Sequence, residues 1–509
     1  MIARFSTTAS RAVGGLRLRS IASTARSTLV VACAFGATFV SDLASGQSIS
    51  FDEVRAAALD ALGGDVDRIE LVGAGWDACL GQAWNVNDGW ARWALTDYRR
   101  IIDYAEVTSL QTAMRRPAMD PEKVGGCGAQ PGGAANRQQS RIDGTSAWPD
   151  QLPIWLTPHG FLRLADSEET SVEVTDRGVK VSVRVPRGDI VYTVDGYYDE
   201  SYRLERIETW IDDSIFGDMS VEAEFAGFRR FGDIVYPETL TYRQGGLITL
   251  SLSLQQVVPN TRAETSVPGG PPRMGGGGAP AASSEPPYVE LGDGVFVMLG
   301  AYQGVAVEFD EFVVVIDGLQ NDDRSRELIR LTHEAIPSKP IRYVVVTHSH
   351  FDHASGLRDF IAEGAIVLTH EANVEFFERA LAAPRTLAAD RTLNRPGGPV
   401  TVEGVAGRRV IADGSGQVVE LLALEGSMHA DDMLVAYLPR VKAIVESDLL
   451  QPWINPIFGG GRDAPHPYLV HLYESLERLG VDYEQFVPIH RPPEPPTMPK
   501  SALVEAVRR

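Results

Sequence analysis

Three histidines and an aspartate fall within six residues, His348-Ser349-His350-Phe351-Asp352-His353, directly after the β-branched run Val344–Val346. The run reads as a short buried strand, and the polar residues after it as the loop leaving that strand. Alternate side chains on an extended backbone share a face, so His348 and His350 can present two imidazoles to one point. Asp352 and His353 follow where the chain turns and can reach a second point. Imidazole nitrogen and carboxylate oxygen suit zinc, with iron or manganese as alternatives. The bland reading is a polar loop with hydrogen-bonded histidines. With 10 histidines in 509 residues, three of them this close together favour the metal.

The stretch resembles the signature of the metallo-β-lactamase superfamily, His-x-His-x-Asp-His after a strand. Further residues appear in the order that resemblance requires. Asp317 ends the apolar run Val313–Ile316, His429 follows a strand in Glu425-Gly-Ser-Met-His429, Asp448 follows Ala443–Val445, and His490 closes Pro488-Ile-His490. The resemblance covers about residues 288–495 and implies an αββα sandwich with metals at one edge. Position by position it implies that His348, His350 and His429 hold one ion, and that Asp352, His353 and His490 hold another. Asp448 would bridge the two ions, and Asp317 would tie down the metal loop. Two ions, expected to be zinc, would lower the pKa of a shared water toward neutrality. Asp352 would then act catalytically, orienting that water or passing a proton to the leaving group. One departure from the family pattern is Arg491, with Pro492 and Pro493 after it, where glycine commonly follows the last histidine.

These residues need scaffolding, and the patterning supplies it. Past residue 288 strands and helices alternate: strands near Val295–Leu299, Val305–Phe309, Phe312–Ile316, Ile341–Val346, Ile366–Thr369, Val410–Ala412, Val418–Ala423, Met433–Leu438, Ala443–Val445 and Phe486–Pro488. Helices are expected at Ser325–Ala335, capped by its serine, and at Ala354–Ala362, Glu371–Leu381 and Pro467–Leu479. Such a mixture suits two sheets between helices. The remaining histidines, among them His333, His370, His466 and His471, read as structural or exposed. Arg385, Arg391 and Arg395 lie in an irregular stretch, 382–400, that could border the cleft and favour acidic substrates; surface solvation is the default for them.

Upstream, residues 50–262 read as a mostly antiparallel β domain. Phe51–Gly63 is patterned as an amphipathic helix. Val172 and Val174, a turn at Asp176-Arg177-Gly178, and alternating Val179, Val181, Val183 and Val185 signal a hairpin. Ile190–Val194, Tyr202–Trp210, Val221–Phe225 and Ile248–Leu254 continue the period of two. The segment holding Trp76, Trp84, Trp90 and Trp93 has no clear assignment, and Pro117–Pro149 reads as a long loop. Such a sheet must cover its apolar face, which fits a packed substrate-facing or dimerising module. In architecture alone it resembles the half-barrels of periplasmic lipoprotein carriers. Residues 263–287, with four consecutive glycines at 275–278, form a Gly/Pro-rich linker. The linker predicts that a fragment from about Ser284 to Arg509 binds metal by itself.

The whole chain is acidic, with a net charge of −21, which argues against a nucleic-acid partner. Arg4, Arg11, Arg17, Arg19 and Arg26 precede the apolar run Thr28–Val40, and no acid appears before Asp42. Residues 1–46 thus read as an export signal cleaved near Gly46 or Gln47, its apolar run Thr28–Val40 being too short to span a membrane. The mature protein is expected to be periplasmic or secreted, where Cys79 and Cys127 could pair or remain two buried thiols. The leading function is a metal-dependent hydrolase opening a small ester, lactone or amide. An iron-dependent oxidoreductase on the same fold and a metal-binding module without catalysis are the alternatives.

Overall fold

A computed structural model describes residues 49–117, 126–127, 135–265, 287–388, 400–450, 465–490 and 495–508. The export signal, most of the linker, Arg391, Arg395, Arg491, Pro492 and Pro493 lie outside the described residues. An N-terminal eleven-stranded antiparallel sheet is followed by a mixed α/β region with the αββα layering.

The large sheet runs, edge to edge, Asn136–Ile142, Thr108–Pro117, Ala91–Asp103, Arg68–Cys79, Leu247–Pro259, Thr239–Gln244, Gly217–Ala226, Leu204–Asp213, Ile190–Tyr198, Gly178–Arg187 and Glu169–Thr175. The valine hairpin forms as patterned, with Val172 opposite Val181 and Val174 opposite Val179. Its apolar face is covered by three helices, Phe51–Leu62, Trp148–Trp155 and Pro158–Ser167, whose Val54, Leu62, Leu152, Phe161 and Leu164 join the strand residues in one core. Ser50 and Glu53 cap the first helix reciprocally.

Pro117–Pro149 is not simply a loop. Asn136–Ile142 pairs with Thr108–Pro117, and Pro149 sits in the first turn of a helix, where its missing N–H costs nothing. Pro158 likewise opens a helix, with the Thr157 hydroxyl accepting from Gly160 N at 3.1 Å.

In the C-terminal region a seven-stranded mixed sheet (Tyr288–Gly292 through Val402–Val405) faces a six-stranded one (Arg408–Ala412 through Met498–Pro499). Val314, Ile316, Val345 and Leu368 meet Leu421, Ala436, Val445 and Val487 between the sheets. Val313 and Val315 point the other way, under the helices Asp322–Ala335, Leu357–Ala362 and Val374–Ala382. The run Val313–Ile316 is continuously apolar because both of its faces are buried. Pro467–Leu479 and Lys500–Arg508 cover the outer face of the second sheet.

Two expectations shift in detail. The first helix starts at Asp322, with Asn321 rather than Ser325 as its cap; Asn321 accepts from Arg324 N, and the Ser325 hydroxyl is spent on Ser355 O. The helix expected at Ala354–Ala362 is two short ones, Phe351–Ala354 and Leu357–Ala362, broken at Ser355 and Gly356. No described helix is long and apolar enough to cross a membrane.

Candidate metal centre

The histidine loop leaves the C-terminal end of Ile341–Val345, where the parallel neighbour Val313–Ile316 also ends. Asp317 therefore emerges beside the loop. It sits at φ 52°, and Asp448, just beyond the strand Ala443–Glu446, sits at φ 64°. Aspartate tolerates this left-handed conformation better than most residues, and strain of this kind gathers at functional sites.

All seven residues expected from the sequence come together. His348 Nε2 lies 3.0 Å from His350 Nδ1, 3.2 Å from His429 Nε2 and 3.1 Å from Asp448 Oδ2. On the other side of Asp448, His353 Nε2 is 3.0 Å from Oδ2 and His490 Nε2 is 2.5 Å from Oδ1. Asp352 Oδ2 is 3.5 Å from His353 Nε2. Two groups of close ligand atoms result, His348, His350, His429 and Asp448 in one and Asp352, His353 and His490 in the other.

The donor set fits metal ions. Three unprotonated imidazole nitrogens converging at such distances repel one another unless a cation sits between them. A tetrahedral ion about 2.0–2.1 Å from each nitrogen would hold them roughly 3.3 Å apart. His353 Nε2 and His490 Nε2 are buried without a hydrogen bond, although both face the Asp448 carboxylate. The His/Asp cluster is consistent with a dinuclear metal site.

The tautomers follow from what holds each ring. His353 Nδ1 faces Asp317 Oδ1 at 3.0 Å, so a proton belongs there and Nε2 is the nitrogen that faces the cluster. The Thr347 and Ser447 hydroxyls donate to Asp317 Oδ2. His350 Nε2 donates to the carbonyl of Ala83 at 2.9 Å, which frees Nδ1 for the cluster. Asp432, from the second sheet's side, accepts from Ser349 N at 2.7 Å and from the Asn373 amide.

Electrostatics match. Burial, then the charge of neighbouring imidazoles, pushes His348 and His350 down from the usual histidine value, toward the neutral ligand form. Burial acts the same way on His353, but Asp317, Asp448 and Asp352 outweigh it and push that group up. Burial would raise Asp352 and Asp448, and the surrounding histidines instead hold both below the usual carboxylate range. The pocket is an anionic well that calls for positive charge.

Several contributing residues carry no signal in the sequence. Tyr302 donates its hydroxyl to Asp352 Oδ2 at 2.8 Å and lies 4.4 Å, ring to ring, from His490. Gln82 donates to Asp352 Oδ1 at 2.6 Å from the N-terminal region. Trp84 donates through Nε1 to Ser427 O at 2.9 Å. For Trp84 the clustering with Trp76, Trp90 and Trp93 marks the segment but not its partner. Cys79 and Cys127 form a disulfide, with Cα atoms 6.5 Å apart.

The other candidates are bland. His370 and His466 cap backbone N–H groups, and His471 bonds to Glu425 O. Arg385 does not face a cleft: its side chain is 3% exposed and is clamped between Asp212 and Asp322.

The family model for the metallo-beta-lactamase superfamily matches residues 303–488. Among curated proteins, the chain is similar to the 2,4-dinitroanisole O-demethylase subunit alpha of a Nocardioides species, 24% identical over 38% of this chain and 53% of that protein. A shorter match, 32% identical over 12% of this chain and 9% of the other, is to an alkyl/aryl-sulfatase of Saccharomyces cerevisiae. The chain thus spans about half the length of the first of these relatives and about a tenth of the second. Solved structures with a similar region include a metallo-beta-lactamase from Pontibacter korlensis, at TM-score 0.32 and 20% identity, covering 43% of this chain and 96% of that one. A sec-alkylsulfatase from a Pseudomonas species is similar at TM-score 0.31 and 18% identity, covering 43% and 40%.

Proposed function

We propose, with residues 303–488 established as a metallo-beta-lactamase superfamily domain, that this protein is a metal-dependent hydrolase of small molecules. The observation that carries the reading is the convergence of His348, His350, His429, Asp448, His353, Asp352 and His490 on two adjacent points. In this reading His348, His350 and His429 would hold one ion and Asp352, His353 and His490 the other, with Asp448 the carboxylate that both sets face. Imidazole-rich sites with carboxylate favour zinc over harder cations. Two such ions, when bound, supply Lewis acidity toward the substrate and an activated water.

The residues of the chain do the rest. Asp352, kept ionised and accepting from both Gln82 and Tyr302, is the group placed to orient a nucleophilic water. Burial and the nearby carboxylates push the Tyr302 phenol far above its ordinary range. It therefore stays protonated and keeps its hydrogen bond to Asp352 Oδ2. The named relatives, an O-demethylase subunit and an alkyl/aryl-sulfatase, support a substrate whose scissile bond is to oxygen, an ester or lactone, ahead of an amide. The disulfide supports the exported, oxidising location that the leader predicts.

The test is a panel of lactones, aryl esters, sulfate esters, phosphodiesters and β-lactams with the full chain, alongside elemental analysis of protein purified without added metal. Two zinc ions per chain and turnover of an ester or lactone are expected. A coloured, redox-active iron protein that turns over none of the panel would replace hydrolysis with oxidoreductase chemistry.

A further inference from the structure

We infer that Gln82 is a positioning residue for Asp352, delivered to the metal centre by the N-terminal sheet. The inference rests on the two-metal reading above.

The strands Arg68–Cys79 and Ala91–Asp103 pair along their whole length, yet a tight hairpin does not join them. Residues 80–90 instead leave the sheet and lie across the histidine motif. Phe351 N donates to Gly81 O at 3.0 Å, His350 Nε2 to Ala83 O at 2.9 Å, and Asp431 N to Trp84 O at 2.8 Å. Asn85 reaches the Asp431 carboxylate at 3.2 Å. One five-residue stretch therefore grips two of the segments that carry ligands, the one around His350–Asp352 and the one around His429. Val86 is buried in the core beneath the first sheet of the C-terminal region, and Trp90 meets Phe351 edge-on at 5.6 Å.

The stretch is held too closely for chance packing. Gly81 has φ +75°, and a Cβ there would fall 2.2 Å from the Phe351 ring. Gly126 donates to Gln82 O at 3.2 Å, and a Cβ on it would fall 1.6 Å from Gln82 Oε1 and 3.2 Å from His350 Cε1. Gly126 is brought there by its neighbour Cys127, which is cross-linked to Cys79 at the mouth of the loop. Gln82 is thus packed between Gly126 on one side and Asp352 on the other.

The choice of glutamine has a chemical reason. Its amide N–H fixes Asp352 Oδ1 as an acceptor at 2.6 Å. That leaves Oδ2 as the oxygen facing Tyr302 and His353. An amide donates without adding charge, so it orients the carboxylate without competing with a cation for it. Partners of this kind, behind the ligands themselves, typically alter metal affinity or activity 10- to 100-fold.

The experiment uses the full chain loaded with cobalt(II), whose visible absorption reports ligand geometry, and chelator competition for each ion. Gln82→Met keeps the length and removes the donor; Gln82→Glu keeps the shape and turns the donor into a carboxylate. Trp84→Phe disturbs the same loop without touching Asp352. The expected result is that both Gln82 variants bind the first ion as the unaltered chain does. They should hold the second at least about tenfold more weakly, with a changed second-site absorption band, while Trp84→Phe leaves the second ion in place. Gln82 variants with unaltered second-ion affinity and spectrum overturn the inference. So does an equal loss of both ions, or a Trp84→Phe variant that weakens the second ion as much, since the loop then acts only as packing. A chain with Gln82 intact that takes up no cobalt removes the two-metal reading itself, and the inference with it.

Discussion

The Asp317 carboxylate and the His353 imidazole, both fully buried, meet at 3.0 Å behind the metal centre. Asp317 is 36 residues upstream of His353 and is no ligand itself. It fixes which ring nitrogen of His353 carries the proton, and it gathers the Thr347 and Ser447 hydroxyls on its other oxygen. Asp317→Asn should lower affinity for the ion at His353 by roughly 10- to 100-fold. It should do so more than for the ion at His348, as read by chelator competition on each site. Equal affinity in both proteins would remove this role.

Asp448 lies within 3.2 Å of His348, His429, His353 and His490 nitrogens. Asp448→Ala takes away a shared oxygen and leaves His348, His350 and His429 in place. Metal stoichiometry is expected to fall from two toward one, with turnover of any confirmed substrate lowered together with the activation of water. A variant keeping two tight ions at full turnover would show that the ions share no bridge.

Arg385 joins the two halves of the chain. Its guanidinium bonds Asp212 from the N-terminal sheet and Asp322 from the first helix of the C-terminal region. Removing the buried guanidinium leaves two half-buried aspartates facing each other, at a cost of about 1–3 kcal/mol once their contact with solvent is allowed for. Arg385→Met should lower the denaturation midpoint accordingly while leaving metal stoichiometry at two. A midpoint unchanged in chemical denaturation would mean that the two aspartates are solvated well enough alone.

The fragment from Ser284 onward, which the linker predicts to stand alone, would lose Gln82, the Ala83 carbonyl and Val86. It would also lose Ile215 and Phe216, which pack onto its Phe351 and Phe376. It is expected to be insoluble, or soluble with at most one tightly held ion. A soluble fragment with two ions at full-chain affinity would show that the sheet is dispensable to the site.

His159, buried under the large sheet, donates to Gly64 O and lies stacked on Tyr236. Burial pushes its pKa below the ordinary 6.5. The unfolded chain therefore takes up a proton near pH 6.5 that the folded chain refuses, and stability falls as pH drops below that point. His159→Gln keeps a donor and cannot titrate. Its melting temperature should lose less than that of the unaltered chain between pH 7 and pH 5.5, by differential scanning calorimetry. Parallel pH curves for the two proteins would assign the acid sensitivity elsewhere.

Much of the site was legible because ligand identity is local chemistry. His348, His350, Asp352 and His353 fall within six residues after one strand, and His429, Asp448 and His490 each follow a strand that periodicity reveals. The αββα layering and the valine hairpin follow from apolar period and length in the same way. What the sequence could not decide is what lies against those residues from far away. Gln82 meets Asp352 across 270 positions, and Arg385 meets Asp212 across 173. Neither residue is unusual in its own neighbourhood. A glutamine after Gly81 or an arginine in a loop reads as solvated surface, and only the closing of one sheet onto the other half of the chain buries them and gives each a single partner. The local pattern determined which atoms could bind metal; the tertiary structure decided which groups orient them, because orientation depends on contacts whose sequence separation leaves no periodic trace.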